Sequence, residues 1–279
     1  MVAAPRIVLV LLLAAGGALA KVLGGFLYGS RALMVDALTS IANMLALLGT
    51  VYYYRQSLMP PDEDHHYGHH RLSLGGVFVT LMTYSFVAGL AVAELLFTRS
   101  YSVDVKAPLA AAVGLALYSG AILVARRAGP QFSPYSVFTV SELIEGATVI
   151  AASFGGALYS YVIDLAGAYL VTAYIFYELY DVSQDFMRKM SDVAPPPGFV
   201  QQVVRDIESV TPGVKVKKIR LRCVTPGRYQ GDVVIGMDPS KSVVEAHVVA
   251  QRIERVVRHR YGLDLVIHIE PLEQCRRGR

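Results

Sequence analysis

The sequence predicts a bundle of membrane helices followed by a small soluble α+β domain. Three observations carry that expectation. Apolar runs close to 20 residues long recur from residue 7 to about residue 181 and stop there. A run of three prolines follows at 195–197, and beyond it short alternating and amphipathic segments replace the long runs. Only 17% of the 279 residues are charged and mean hydropathy is +0.44, whereas soluble domains carry roughly a quarter charged residues.

Six spans follow in order, at residues 7–28, 32–54, 74–97, 108–124, 135–158 and 161–182, each roughly the length that a bilayer-crossing helix needs. The first is too long and apolar for a cleaved leader, whose apolar core is about 7–15 residues, and a second span follows at once. The first, third and fifth are rich in Gly and Ala, which permits close helix packing in lipid. Arg6, Arg55, Arg71, Arg126, Arg127, Arg188 and Lys189 flank one side of the spans, against Arg31, Arg99 and Lys106 on the other. The excess of basic residues marks the cytoplasmic side, so both termini are expected in the cytoplasm and the protein in the cell membrane. The domain boundaries expected are 1–190 for the six-helix transmembrane domain, 191–198 for a Pro-rich linker and 199–279 for a cytoplasmic domain. In that last part, 199–210 has helical spacing and 214–224 alternates like a strand. A second strand is expected at 232–237, an amphipathic helix at 242–261 and a last strand at 263–269. The order αββαβ, of the ferredoxin or metallochaperone kind, places helices on one face of a small sheet. About 80 residues make a marginal independent core, which favours pairing with a second copy.

Composition excludes several classes. Two cysteines far apart, Cys223 and Cys275, give neither a disulfide framework nor a thiolate metal cluster. The net charge of +4 is spread along the chain without a basic, aromatic-interleaved patch, so no nucleic-acid partner is expected. No nucleophile triad, phosphate-binding loop or dinucleotide fingerprint occurs, which argues against an enzyme and against an ATP-driven pump.

Ionisable groups within the spans carry the chemistry, because placing them in lipid is costly. Asp36, Ser40 and Asn43 lie at i, i+4 and i+7 on one face of the second span. Glu142 and Glu145 lie three apart on the fifth. Together they offer three carboxylates, an amide and a hydroxyl, an oxygen-rich set suited to a hard or borderline divalent cation. Asp164 and Glu178 in the sixth span are expected near its ends or along a water-filled cavity, and Lys21 in the first is a candidate to offset one acid. The loop after the second span packs His65, His66, His69 and His70 beside Asp62, Glu63 and Asp64, a zinc-like set of imidazole and carboxylate. His247 is expected on the long helix, with His268 and Glu270 on one face of the last strand, three candidate ligands at one edge. His259 reads as a surface residue.

With these residues in view, the sequence resembles the cation diffusion facilitator (cation efflux) family over nearly its whole length. Ser30-Arg31-Ala32-Leu33-Met34-Val35-Asp36-Ala37 is similar to the family's second-helix signature, and Asp62-x-x-His65-x-x-Gly68-His69 to its zinc-binding loop. Ser141-Glu142, Glu245-Ala246-His247 and residues 266–271 match further family positions. The resemblance implies a homodimer that exports a cytoplasmic divalent cation, zinc, manganese or iron, in exchange for protons. It also implies that metal at His247, His268 and Glu270 is sensed by the soluble domain, and that Arg71 pairs with Asp192 between subunits. Where the family usually sets two Asp or His residues four apart on each of two helices, Asp36 and Glu142 stand beside Ser40 and Phe138. Asn43 and Glu145 are the candidate substitutes, and loss of imidazole favours manganese or iron. Lys217 and Lys218 stand where relatives can carry a further histidine, which argues against a binuclear cluster. An alternative implied by these departures is a transport-impaired member that senses metal or supports a partner subunit.

Overall fold

The computed structural model describes residues 3–126, 139–210, 212–225 and 227–272. They form two compact units, one of residues 1–56 and 72–184, the other of residues 57–71 and 185–279.

The first unit holds α1 (Ala3–Tyr28), α2 (Arg31–Ser57), α3 (Leu74–Leu96), α4 (Ala107–Arg126) and α5 (Thr139–Leu158), with most of α6 (Tyr161–Met190). Among the described residues, α1, α2, α3, α4 and α6 are long and apolar enough to cross a membrane. The fifth span expected at 135–158 is described from Thr139 onward as α5, and residues 135–138, Phe138 included, lie outside the described residues, as does Arg127. The sixth helix outruns its expected end at 182. Its sequence carries no breaker until Asp192, which takes a left-handed φ of 57°.

This unit turns large apolar side chains outward and buries a set of polar and charged ones. Leu12, Phe26, Met82, Phe86 and Leu170 face outward, while Lys21, Asp36, Ser40, Asn43, Glu142 and Glu145 are buried. That inversion suits a lipid solvent, in which outward apolar groups cost nothing and charges must find partners within the bundle. Small residues set the helix spacing. A methyl on Gly76 of α3 would meet Thr50 Cα of α2 at 2.8 Å, and one on Gly24 of α1 would meet Ala110 Cβ of α4 at 2.4 Å. The apolar core runs from Ala32, Leu33 and Val35 of α2 through Tyr84, Val87 and Ala91 of α3 to Val149 of α5 and Val171 of α6.

The second unit contains α7 (Pro197–Val210), β1 (Lys215–Thr225), β2 (Arg228–Met237), α8 (Val243–Tyr261) and β3 (Leu263–Pro271). Strand order is β1-β2-β3, with β1 and β2 antiparallel and β2 and β3 parallel. The parallel pair requires a crossover, supplied by α8. Val203 and Ile207 of α7, Ile253 and Val257 of α8, and Val233, Ile235, Leu263 and Leu265 of the sheet close the core. The expected linker gives way to helix at Pro197, not after Gly198. Proline suits a first helical position because its missing N–H would find no intrahelical partner there. Both Phe199 N–H and Val200 N–H donate to Pro196 O, at 2.9 and 3.2 Å. The His-rich loop, assigned by the sequence to the membrane part, belongs to this second unit.

Candidate functional site

The polar residues expected on α2 and α5 meet in one buried network. Asn43 donates through its amide to Glu142 Oε1 and accepts from the Tyr84 hydroxyl of α3. Thr39 Oγ1 lies 3.3 Å from Glu145 Oε2 and 2.8 Å from Asp36 O. Lys21 of α1 donates to Asp36 Oδ1 at 2.7 Å and to Ser40 Oγ at 2.9 Å, with Glu142 Oε2 at 3.7 Å. Asp36 Oδ2 is buried with no hydrogen-bond partner among the described residues. A buried carboxylate oxygen without a donor is expensive, and a cation is the ligand that would relieve it.

Two members of this network, Thr39 and Tyr84, are not singled out by the sequence. Thr39 and Tyr84 carry no signal of their own, since a hydroxyl in an apolar helix is commonplace. Thr39 could have been found from its register, at i+3 from Asp36. Lys21 was noted as an offset to one acid; its ammonium touches Asp36 and approaches Glu142. Asp164 stands at the start of α6 and serves the start of α2. It accepts from Ser30 Oγ at 2.6 Å, from the Arg31 and Ala32 amides at 2.7 and 3.4 Å and from the Tyr101 hydroxyl at 3.0 Å. It therefore caps α2, where unpaired amides and the helix dipole favour an anion. Glu178 lines a small recess with Thr80, Leu81 and Tyr84.

In the loop, one ligand atom each from Asp62, His65 and His69 falls within 4.8 Å of the others. The backbone arranges this. Asp62 Oδ1 accepts from the His65 amide at 2.7 Å and the Asp64 amide at 3.2 Å, and Gly68 takes a φ of 80° to turn the chain. Asp62 Oδ1 lies 3.2 Å from His65 Nδ1, and Asp62 Oδ2 lies 3.2 Å from His69 Nε2. His69 is buried, and its Nδ1 lies 3.1 Å from Pro60 O. A proton held there leaves Nε2 as the electron-pair donor, the usual arrangement of a ligating imidazole. Desolvation pushes the Asp62 carboxyl up, but the His65 amide and the two imidazoles outweigh it and hold it below its ordinary value. A carboxylate flanked by two imidazoles is a fitting zinc donor set.

The remaining expected ligands are dispersed. His247 is exposed on α8. His268 and Glu270 share a face of β3, with His268 Nε2 3.9 Å from Glu270 Oε1. Lys217 of β1 donates to Glu270 Oε2 at 2.9 Å and to Pro271 O at 3.1 Å. Its side chain crosses β2 over Gly236, where a methyl would meet Lys217 Cε at 3.2 Å. Lys217 holds Glu270 below its ordinary carboxyl value, opposed by desolvation. Among the described residues the single chain brings only Asp62, His65 and His69 into a metal-sized group, and His247, His268 and Glu270 do not join one. Arg71 and Asp192, expected to meet between subunits, form an ion pair within one chain. The left-handed turn at Asp192 also delivers its Oδ2 to Arg222 Nη1 at 3.1 Å.

Residues 7–190 match the cation efflux transmembrane domain, and residues 195–272 match the cation efflux protein cytoplasmic domain. The chain is similar to the manganese efflux system protein MneS of Bacillus subtilis strain 168, at 24% identity over 91% of this chain and 90% of the relative. It is similar to the cation-efflux pump FieF of Serratia proteamaculans strain 568, at 25% identity over 94% of this chain and 90% of the relative. An uncharacterized transporter of Bacillus subtilis, YdbO, is 25% identical over 91% of this chain and 90% of the relative.

Proposed function

The chain belongs to the cation efflux family, a family of membrane transporters, and from that premise we propose that it exports a divalent metal cation from the cytoplasm by proton antiport as a homodimer. The observation that carries the reading is the buried network of Asp36, Ser40, Asn43, Glu142 and Glu145, in which Asp36 Oδ2 has no hydrogen-bond partner among the described residues. Asp36, Ser40, Asn43, Glu142 and Glu145 are the ligands proposed for the cargo. All the donor atoms are oxygen. Such a set suits manganese(II) or iron(II) better than zinc, which binds more strongly where imidazole or thiolate is present. The manganese cargo named for MneS supports that order. Buried carboxylates take up protons when the cation leaves, because the charged form is costly without a partner, so cation and protons compete for the same oxygens. Alternating exposure of the network then exchanges one for the other.

The basic residues flanking the spans support cytoplasmic termini in the cell membrane. Asp62, His65 and His69 are proposed as a second, zinc-type site on the cytoplasmic side. His247, His268 and Glu270 are proposed as a weaker sensing patch, at which a metal would compete with Lys217 for Glu270. Proteoliposome uptake across manganese, iron, zinc, cobalt and cadmium, with and without a pH gradient, tests the proposal. Manganese and iron are expected to move fastest, with flux rising when the opposite compartment is acidified. Metal that binds but never crosses would sink the transport reading.

A further inference from the structure

The ammonium of Lys21 lies inside the network that the proposed function assigns to the cargo. It has three donor directions, and Asp36 Oδ1 and Ser40 Oγ take two of them at 2.7 and 2.9 Å. Glu142 Oε2 stands 3.7 Å away, and the Tyr118 ring centroid is 5.4 Å from the nitrogen, within reach of a cation–π contact. The bundle is shaped around this side chain. A methyl on Gly114 of α4 would meet Lys21 Cγ at 2.5 Å and Cε at 3.2 Å. Lys21 is buried completely, so the fold delivers its charge to the network along a groove cut for the stem. A divalent cation and an ammonium repel at a few ångströms in a low-dielectric interior, and the ammonium already occupies Asp36 Oδ1.

We infer that Lys21 is a tethered counter-cation of the transport site, its fixed charge repelling the cargo and so limiting how tightly the cargo binds. The inference rests on the proposed transport site. The ammonium pairs with Asp36 and approaches Glu142, so the chain itself supplies part of the positive charge that the network's acids call for. A site whose negative charge is partly offset in this way releases its cargo more readily, since affinity rises with the count of charged ligands.

The test is manganese(II) titration of the full-length protein in nanodiscs, with transport turnover measured in proteoliposomes. Lys21→Met removes the charge and keeps most of the stem. It is expected to lower the manganese Kd about tenfold or more and to slow turnover through slower release. A folded Lys21→Met that binds manganese no tighter than wild type overturns the inference. Where Lys21→Met is not recovered folded, Asp36→Asn and the double variant Lys21→Met/Asp36→Asn decide, because removing both partners leaves no uncompensated buried charge. Asp36→Asn leaves the ammonium beside Glu142 without its partner, so the double variant is expected to bind manganese about tenfold tighter than Asp36→Asn alone. Equal or weaker binding by the double variant overturns the inference, whereas a merely structural ion pair would leave the two alike. Glu142→Gln separates this from the transport reading. If it binds manganese as wild type does, the assigned site itself fails, whatever the Lys21 variants show.

Discussion

Asp164 and Asp36 are both buried acids in membrane helices, and their surroundings give them different work. Asp164 is satisfied on both oxygens by Ser30, the Arg31 and Ala32 amides and Tyr101, the environment of a helix cap. Asp36 keeps one oxygen without a donor among the described residues. Asp164→Asn is accordingly expected to cost stability, about 1–3 kcal/mol from the lost charge-assisted bonds, with the metal Kd unchanged. Thermal unfolding in detergent beside manganese titration checks it. The sequence shows both residues as costly intramembrane charges and cannot separate them. The partners that decide are a backbone amide at Arg31 and a lysine 15 residues before Asp36, and neither follows from helical spacing. The register of Asp36, Ser40 and Asn43 is legible because 3.6-residue periodicity alone puts them on one face. Thr39 shares that register at i+3 from Asp36, but its identity does not mark it, because a threonine bonding its own helix reads the same as one facing a glutamate.

At the scale of elements, α8 shows how local chemistry fixes a boundary. Ser242 accepts from the Glu245 amide while Glu245 accepts from the Ser242 amide at 2.9 Å, and Gly262 ends the helix at a φ of 63°. Ser242→Ala is expected to cost about 1 kcal/mol, read as faster hydrogen exchange in the first turn of α8. Glu245 is held down to about 2 by the Lys241 side chain and by the Ser242 backbone and hydroxyl. A depressed carboxyl stabilises the folded state fully above its ordinary value of 4.5 and loses that contribution as pH falls towards 2. Protection of the amides in this turn, taken relative to their intrinsic exchange at each pH, should therefore fall between those limits in wild type and much less in Glu245→Gln. The loop between α2 and α3 is a second local device. His69→Ala is expected to weaken zinc binding to the loop by tenfold or more and His66→Ala by less than twofold, since His69 joins Asp62 and His65 in the group and His66 does not. Comparable losses in the two variants would break that assignment. The sequence gives the ligand set of this loop because Asp, His, Gly and His sit at short fixed spacings. It leaves the sensing patch open because His247 and His268 lie on separate elements, α8 and β3, whose side chains the αββαβ order alone does not bring together.

The whole molecule divides its chemistry between two solvents. The first unit inverts the soluble pattern, with apolar side chains outward and its charges inward, while the second closes an ordinary apolar core between two helices and a three-stranded sheet. Hydropathy makes this division readable from sequence, since lipid and water impose opposite patterns. The proline run marks where one pattern ends, yet the loop at 57–71 joins the second unit through contacts such as Arg71 with Asp192, which no local pattern announces. The account's central claim is that the buried oxygens of α2 and α5 carry the cation in exchange for protons. The most direct test is manganese flux into proteoliposomes under an imposed pH gradient, for wild type and Glu142→Gln. The account expects gradient-accelerated flux in wild type and at least a tenfold loss in Glu142→Gln with the protein still folded. Undiminished, gradient-driven flux in Glu142→Gln would contradict it.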